Sequence, residues 1–395
     1  MIKRLILLLC LVFTCAWLGF SIYKATQSPW HLFGKLPVMH DGRLKPMDSF
    51  ARNSLLAIGG NLRYSYQKSK NKKDAHLRFV LDYLTQDNDA KQESLILVEH
   101  PQLFSILSQE YYKQKYRVPY AFLNENQSLF VPVAGLADKL EAQKRNPFQR
   151  AVVSVRNRWF LVKQLDNSFP LVMDETSYVA HLSALKNFQR TSQDLLAEKN
   201  KLSNQSIKAY ANYLRFVDTY RTRDAFSVFF PIYFQGKWHS LIKAQLLYTL
   251  PSDPIGKRHL ETQLSYWTGL LDAYKNNDHE TFELAVQKQL TFLSESNLSL
   301  EWRFNQANPF FKSIILYSLG LAVLLIGFFV KKSFMGPLRV GLFGSAFLVH
   351  SLGLIVRMLI EGRPPVTNLY SSAVFVGLAA VGMALLLEHF FKNKS

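Results

Sequence analysis

Four apolar stretches stand out from an otherwise mixed chain. Residues 5–23 follow Lys3 and Arg4; residues 314–330 end on Lys331 and Lys332; residues 340–360 and 371–387 complete the set. Each holds roughly 17–21 residues, the length a helix rising about 1.5 Å per residue needs to cross a hydrocarbon core. The pattern predicts four transmembrane helices. The first is expected to be an uncleaved anchor, because Tyr23-Lys24-Ala25-Thr26-Gln27 offers no small-residue cleavage site.

Between the first two stretches the spacing changes to that of helices with one apolar face. Residues 76–85 put Leu77, Val80, Leu81 and Leu84 on one side. Residues 194–221 continue with Leu195, Leu202, Ile207, Tyr210 and Leu214, and residues 264–292 with Trp267, Leu270, Leu271, Tyr274, Phe282, Ala285 and Leu290. Less regular sequence separates them. The VPVAG within residues 124–136 reads as a strand or turn, and residues 229–236 read as a loop reaching back to the membrane surface. The polar run QKSKNKKD at 67–74 reads as a solvated loop. The expected fold class is therefore mainly α: a polytopic α-helical membrane protein with about four transmembrane helices and a large, mostly helical extracytoplasmic domain. The expected division is an anchor over 1–23, that domain over 24–312, and a three-helix membrane region over 313–395.

Charge sets the expected orientation. Lys3 and Arg4, then Lys331, Lys332 and Arg339, then Lys392 and Lys394 fall on one side if the four segments alternate, and that side is cytoplasmic. Both termini are then inside, and residues 24–312 lie outside the membrane. The 395 residues carry 47 Lys+Arg against 29 Asp+Glu, a net charge of +18. These charges are dispersed, with no dense basic tract and no nucleic-acid module, so a nucleic-acid partner is not expected. Cys10 and Cys15 are the only cysteines, both inside the first apolar stretch. That excludes a disulfide framework, a Cys-ligated zinc site and covalent haem attachment through C-x-x-C-H on this chain.

Familiar catalytic signatures are missing: H-E-x-x-H, G-x-S-x-G, a phosphate-binding P-loop and G-x-G-x-x-G do not occur. The ten histidines are scattered and mostly read as surface or interfacial residues. His350 differs, since it lies mid-way along the third apolar stretch, where an ionisable group is costly and faces a bundle interior or cavity. Arg357 follows two turns later on nearly the same face. An imidazole suits iron and a guanidinium suits a carboxylate, so the pair could hold a haem and its propionate; an interhelical hydrogen bond plus an interfacial arginine explains the same residues. Beyond them, Glu361-Gly362-Arg363-Pro364-Pro365-Val366-Thr367-Asn368-Leu369-Tyr370 reads as a rigid hairpin, with Asn368 and Tyr370 able to bond exposed backbone groups. Near the start, LPVMHDGRLKPMDSFARN is dense in turn formers and charge, including Gly42, Arg43, Pro46 and Asp48. Asp41-Gly42 signals a tight turn, and Asp48 or Ser49 could cap a following helix.

Taken together, His350, Arg357 and the run GRPPVTNLYSS between two apolar helices resemble the beginning of a CcsA/ResC-type cytochrome c assembly protein of the System II pathway. LPVMHDGRLKPMDSFARN and EWRFNQANPF resemble segments flanking the extracytoplasmic extension of large members. The resemblance implies a membrane component, in the bacterial inner membrane, that assists transient haem delivery or presents an apocytochrome c for covalent attachment. It implies a non-enzymatic subunit of a haem-lyase complex rather than an autonomous enzyme. His350 would be the candidate ligand to haem iron, and Arg357 and Arg363 the candidate propionate contacts. The chain departs from the family in two ways. Its six tryptophans (Trp17, Trp30, Trp159, Trp238, Trp267 and Trp302) never form the family's Trp-rich segment, and Ser371 stands where an acid usually follows the Tyr. A second System II subunit supplying that segment is therefore an expected partner, the chain being one piece of a split synthetase or a truncated frame. The alternative is a membrane-anchored ligand-binding or scaffold ectodomain without a haem role.

Overall fold

The computed structural model describes residues 2–62, 74–107, 116–168, 211, 218, 230–249, 254–293, 297–330, 332–364, 366 and 369–391. It is mostly helical and divides into two compact units, one of Met1–Ser28 with Ser296–Ser395 and one of Pro29–Glu295. The chain opens with α1 (Ile2–Thr26) of the first unit. The second unit begins with β1 (Pro37–His40), β2 (Arg43–Pro46), α2 (Met47–Gly59), α3 (Ala75–Leu84), α4 (Asn88–Lys91), β3 (Ser94–Leu97) and α5 (Pro101–Leu107). It continues through β4 (Arg117–Pro119), α6 (Tyr120–Glu125), α7 (Gln127–Asp138), α8 (Pro147–Asn167), β5 (Ile232–Phe234) and β6 (Lys237–His239). α9 (Leu241–Thr249), α10 (Pro254–Lys275) and α11 (His279–Phe292) follow it. The first unit then resumes with α12 (Asn297–Ala307), α13 (Pro309–Phe329), α14 (Met335–Glu361) and α15 (Leu369–Phe391).

Among the described residues, four helices of the first unit are long and apolar enough to cross a membrane, at the four places where the hydrophobic pattern put them. α12 groups with these helices rather than with residues 29–295. Glycines let the helices approach. A Cβ at Gly341 of α14 would meet the Cys10 sulfur of α1 at 2.9 Å, and one at Gly320 of α13 would meet the Phe343 ring at 3.1 Å. Gly382 of α15 likewise faces Phe347. Small residues serve this purpose in a bilayer, where lipid is as apolar as a leucine and close van der Waals contact drives association. Between α12 and α13, Asn308 takes a left-handed conformation (φ 44°) and Pro309 starts the next helix, where its missing N–H costs nothing.

Among the described residues, the second unit is a helical lobe with three two-stranded antiparallel ladders, β1–β2, β3–β4 and β5–β6. Asp41 (φ 51°) and Gly42 (φ 70°) both lie in the left-handed region, the turn that suits the twist of β1 and β2, so the Asp-Gly signal is realised. Residues 229–236 differ from expectation. From Phe230 onward they pair as strands rather than forming a loop: Ile232 and Phe234 point into the lobe's core, and Gln235-Gly236 makes the turn. Gln263 of α10 fixes the strand by donating to the Tyr233 carbonyl (2.6 Å) and accepting from its N–H (3.1 Å). Phe230 in turn bridges Met39 of β1.

The VPVAG run also departs from its strand-or-turn reading, since it is the middle of α7. Phe130, Ala134 and Ala137 are buried at helical spacing while Pro132 faces solvent. Burial of that stripe outweighs the hydrogen bond Pro132 removes. Residues 264–292 form two helices, not one: Asn277 turns left-handed (φ 57°), and the Asp278 carboxylate caps α11 through the Thr281 N–H. Trp267, Leu270, Leu271, Phe282 and Ala285 lie in the core as their spacing predicts. α3 carries its expected Leu77, Val80, Leu81 and Leu84 inward. The helix expected over 194–221 and the loop over 67–74 fall outside the described residues, apart from positions 211, 218 and 74.

Candidate functional site

In the lobe, the first resembling segment folds into β1, β2 and the start of α2. Asp48 sits in the first turn of α2, only 1% exposed. Neither it nor Ser49 caps the helix; Pro46, in extended conformation, precedes it with no side-chain cap. Asp48 accepts hydrogen bonds from Arg52 Nε (2.8 Å) and Nη2 (3.2 Å) one turn on, and pairs with His76 Nε2 of α3 at 2.8 Å. Burial pushes its pKa up, but the His76 bond and the Arg52 charge outweigh that and hold the carboxyl well below the usual range. His76 is thus a buried hydrogen-bond partner of Asp48 and not the surface residue expected for most histidines here. Sequence spacing gives no sign of it, because the partners are 28 residues apart.

Beside this triad, His40 Nδ1 lies 2.9 Å from Lys45 Nζ and 2.8 Å from an Asp41 carboxylate oxygen, with the Phe50 ring edge-on. Burial lowers the His40 pKa and Lys45 lowers it further, against the opposing pull of Asp41. Arg43 faces His40 across the ladder. Gly42, Arg43 and Pro46 thus serve the turn and ladder that position this cluster.

In the first unit, His350 lies inside the bundle, 8% exposed. Its Nδ1 is 3.5 Å from the Tyr317 hydroxyl of α13, and the Phe310 and Tyr317 rings stand nearly edge-on to it at 5.8 and 6.0 Å. One turn along α14, a Cβ at Gly353 would meet Phe310 and Pro309 at 3.1–3.3 Å, so the start of α13 fills that side. Phe310 belongs to the EWRFNQANPF segment; two of the three resembling segments therefore meet at His350.

Arg357 is engaged elsewhere. Its Nε bonds Glu361 at 2.8 Å, and its guanidinium lies 5.3 Å over the Tyr370 ring. Arg363, more exposed, reaches the other Glu361 oxygen at 3.4 Å. Gly362 (φ 65°) ends α14 in left-handed conformation, its N–H bonding the Met358 carbonyl. Pro364 is exposed; Pro365 and Asn368 lie outside the described residues.

Sequence reasoning passed over Lys312. It is buried in α13, donating to Ser21 Oγ (2.6 Å) and the Trp17 carbonyl (3.1 Å) of α1 and lying over the Trp17 ring. The only available signal was a lysine two residues before an apolar stretch, a position that ordinarily reads as interfacial.

Among the described residues, no group of three or more His, Cys, Asp or Glu side chains could hold a metal ion. An imidazole has the right chemistry for haem iron. The His350 ring, however, is flanked by Phe310 and Tyr317, and Glu361 answers both arginines. The described residues do not by themselves fit a haem. What they can do is brace three membrane helices and hold a charged hairpin end. No family model matches this chain, and no curated protein matches it.

Proposed function

We propose that this chain is a membrane component of System II cytochrome c maturation, holding the apocytochrome or a companion subunit for covalent haem attachment. The bacterial inner membrane is its proposed location, with both termini cytoplasmic and the lobe outside. The observation carrying this reading is the packing of Phe310 against His350, which joins two segments that separately resemble the CcsA/ResC-type family. In this reading a partner with the Trp-rich segment supplies the haem cradle, and α13–α15 brace it. The lobe's contribution is a shaped surface for the apocytochrome, with the Asp48 triad fixing α2 against α3.

Co-expression with such a companion tests it. The proposal expects the two chains to purify together with a Soret absorption that neither gives alone. A second reading, a membrane-anchored scaffold without haem, is favoured by the pairing of both arginines with Glu361. It expects the partner to co-purify with no Soret band.

A further inference from the structure

The end of α7 and the turn after it form a protruding tip whose apolar residues face water. Leu129, Pro132 and Leu136 follow one another at helical spacing along α7, on a different side from the buried Phe130, Ala134 and Ala137, and Leu140 follows in the turn; Leu136 is 67% exposed, and Leu129 and Leu140 are exposed too. Scattered exposed leucines are ordinary, but here they share one stripe.

The tip is held in shape from within. Arg145 Nε donates to the Leu140 carbonyl (3.0 Å), and its Nη2 donates to the Asp138 carbonyl (3.1 Å) and carboxylate (2.7 Å). Arg156 of α8 takes the other Asp138 oxygen at 2.8 Å, and Asn146 with Gln149 closes a capping box at the start of α8. A turn braced this way while exposing leucines is organised for contact before any contact is made. Its charge indicates the occupant. Residues 136–150 carry Lys139, Lys144, Arg145 and Arg150 against Asp138 and Glu141; Asp138 is committed to Arg145 and Arg156, and Glu141 to Lys144 at 3.2 Å, so Lys139 and Arg150 supply the outward charge. Leucines with a basic fringe suit the boundary between acyl chains and anionic headgroups, and a chain held in a bilayer by four helices meets that surface at high local concentration.

We propose that this tip is a membrane-surface docking site, seating Leu136 and Leu140 at the headgroup boundary of an anionic bilayer with Lys139 and Arg150 against lipid phosphates. The proposal needs the chain to be membrane-held but does not depend on the haem pathway.

The test uses the full chain in lipid nanodiscs, with Cys10 and Cys15 replaced by serine and a single environment-sensitive label on Leu136→Cys or Leu140→Cys. In discs containing phosphatidylglycerol, both labels should emit blue-shifted light and be quenched by lipids spin-labelled near the headgroup. Pure phosphatidylcholine should weaken that quenching, and the pair Lys139→Glu and Arg150→Glu should abolish it. Emission typical of water at both positions in either lipid overturns the proposal. So does a blue shift that appears only when two copies share a disc, which would mark a contact between copies.

Discussion

The lobe and the membrane unit bury polar side chains by different means. In the lobe, Asp48 meets the cationic Arg52 and the His76 ring, and Asp82 accepts from the Tyr274 hydroxyl across from α10, so a carboxylate is answered by side chains from other turns and helices. In the membrane unit, Lys312 is answered by a hydroxyl, a backbone carbonyl and an indole face, and His350 by a phenol, while at the end of α14 Glu361 holds two arginines. Packing differs in parallel. The lobe's centre is aromatic edge on aromatic face, Trp30, Phe33, Trp267 and Phe282. The membrane helices close on glycine notches. Water gives a folding lobe a hydrophobic driving force and dense charge to choose from; lipid gives neither, and leaves close contact and neutral acceptors.

The largest expected effect that tests this contrast is at Asp48. Asp48→Asn leaves Arg52 and His76 without their anion and should cost about 3–5 kcal/mol of lobe stability, read as a lowered unfolding midpoint. Because the folded carboxyl titrates below its unfolded value of about 3.9, its pairing stabilises fully above that pH and is lost as pH falls through the depressed value. Acid unfolding should accordingly be shallower in Asp48→Asn. Gly353→Val comes next: a side chain there meets Pro309 and Phe310, and overpacking of about 1–3 kcal/mol should show as reduced thermal stability in detergent. Gly42→Ala, where nothing lies within 4 Å but φ is +70°, should cost less, about 1 kcal/mol, all of it backbone strain in the lobe.

Lys312→Met should follow with a loss near 1 kcal/mol, since interhelical hydrogen bonds in lipid are modest; crosslinking of α1 to α13 should weaken while the lobe's unfolding stays unchanged. The smallest effect is at His40. Its folded pKa lies below the unfolded value of about 6.5, so the stabilisation is present above that pH and drains as pH falls through the lower folded value. Exchange protection of the Met39 amide, which bonds the Phe230 carbonyl, should decline on mild acidification in the wild type and stay flat in His40→Gln.

The comparison also separates what was legible in the sequence from what was not. The four spans could be read because apolar length is a local property, and the Asp41-Gly42 turn because its left-handed pair selects those residues. α7 was hidden because Pro132 and Gly135 mask a stripe that only burial reveals. The β5–β6 pair was hidden because its stability comes from Gln263 on a distant helix. At the candidate sites, His350 was legible from the cost of an imidazole at that depth, but its partners Tyr317 and Phe310 were not, since an aromatic near a membrane boundary is unremarkable in sequence. Arg357 and Arg363 were found as cations; that one carboxylate, Glu361, holds both emerges only from the end of α14.

The central claim is a role in cytochrome c maturation, and deletion of the gene in its source organism tests it most directly. Membranes should then lose covalently bound haem in their c-type cytochromes, with apocytochrome still made and haem b unaffected, and a plasmid copy should restore it. Unchanged covalent haem in the deletion strain would contradict the account.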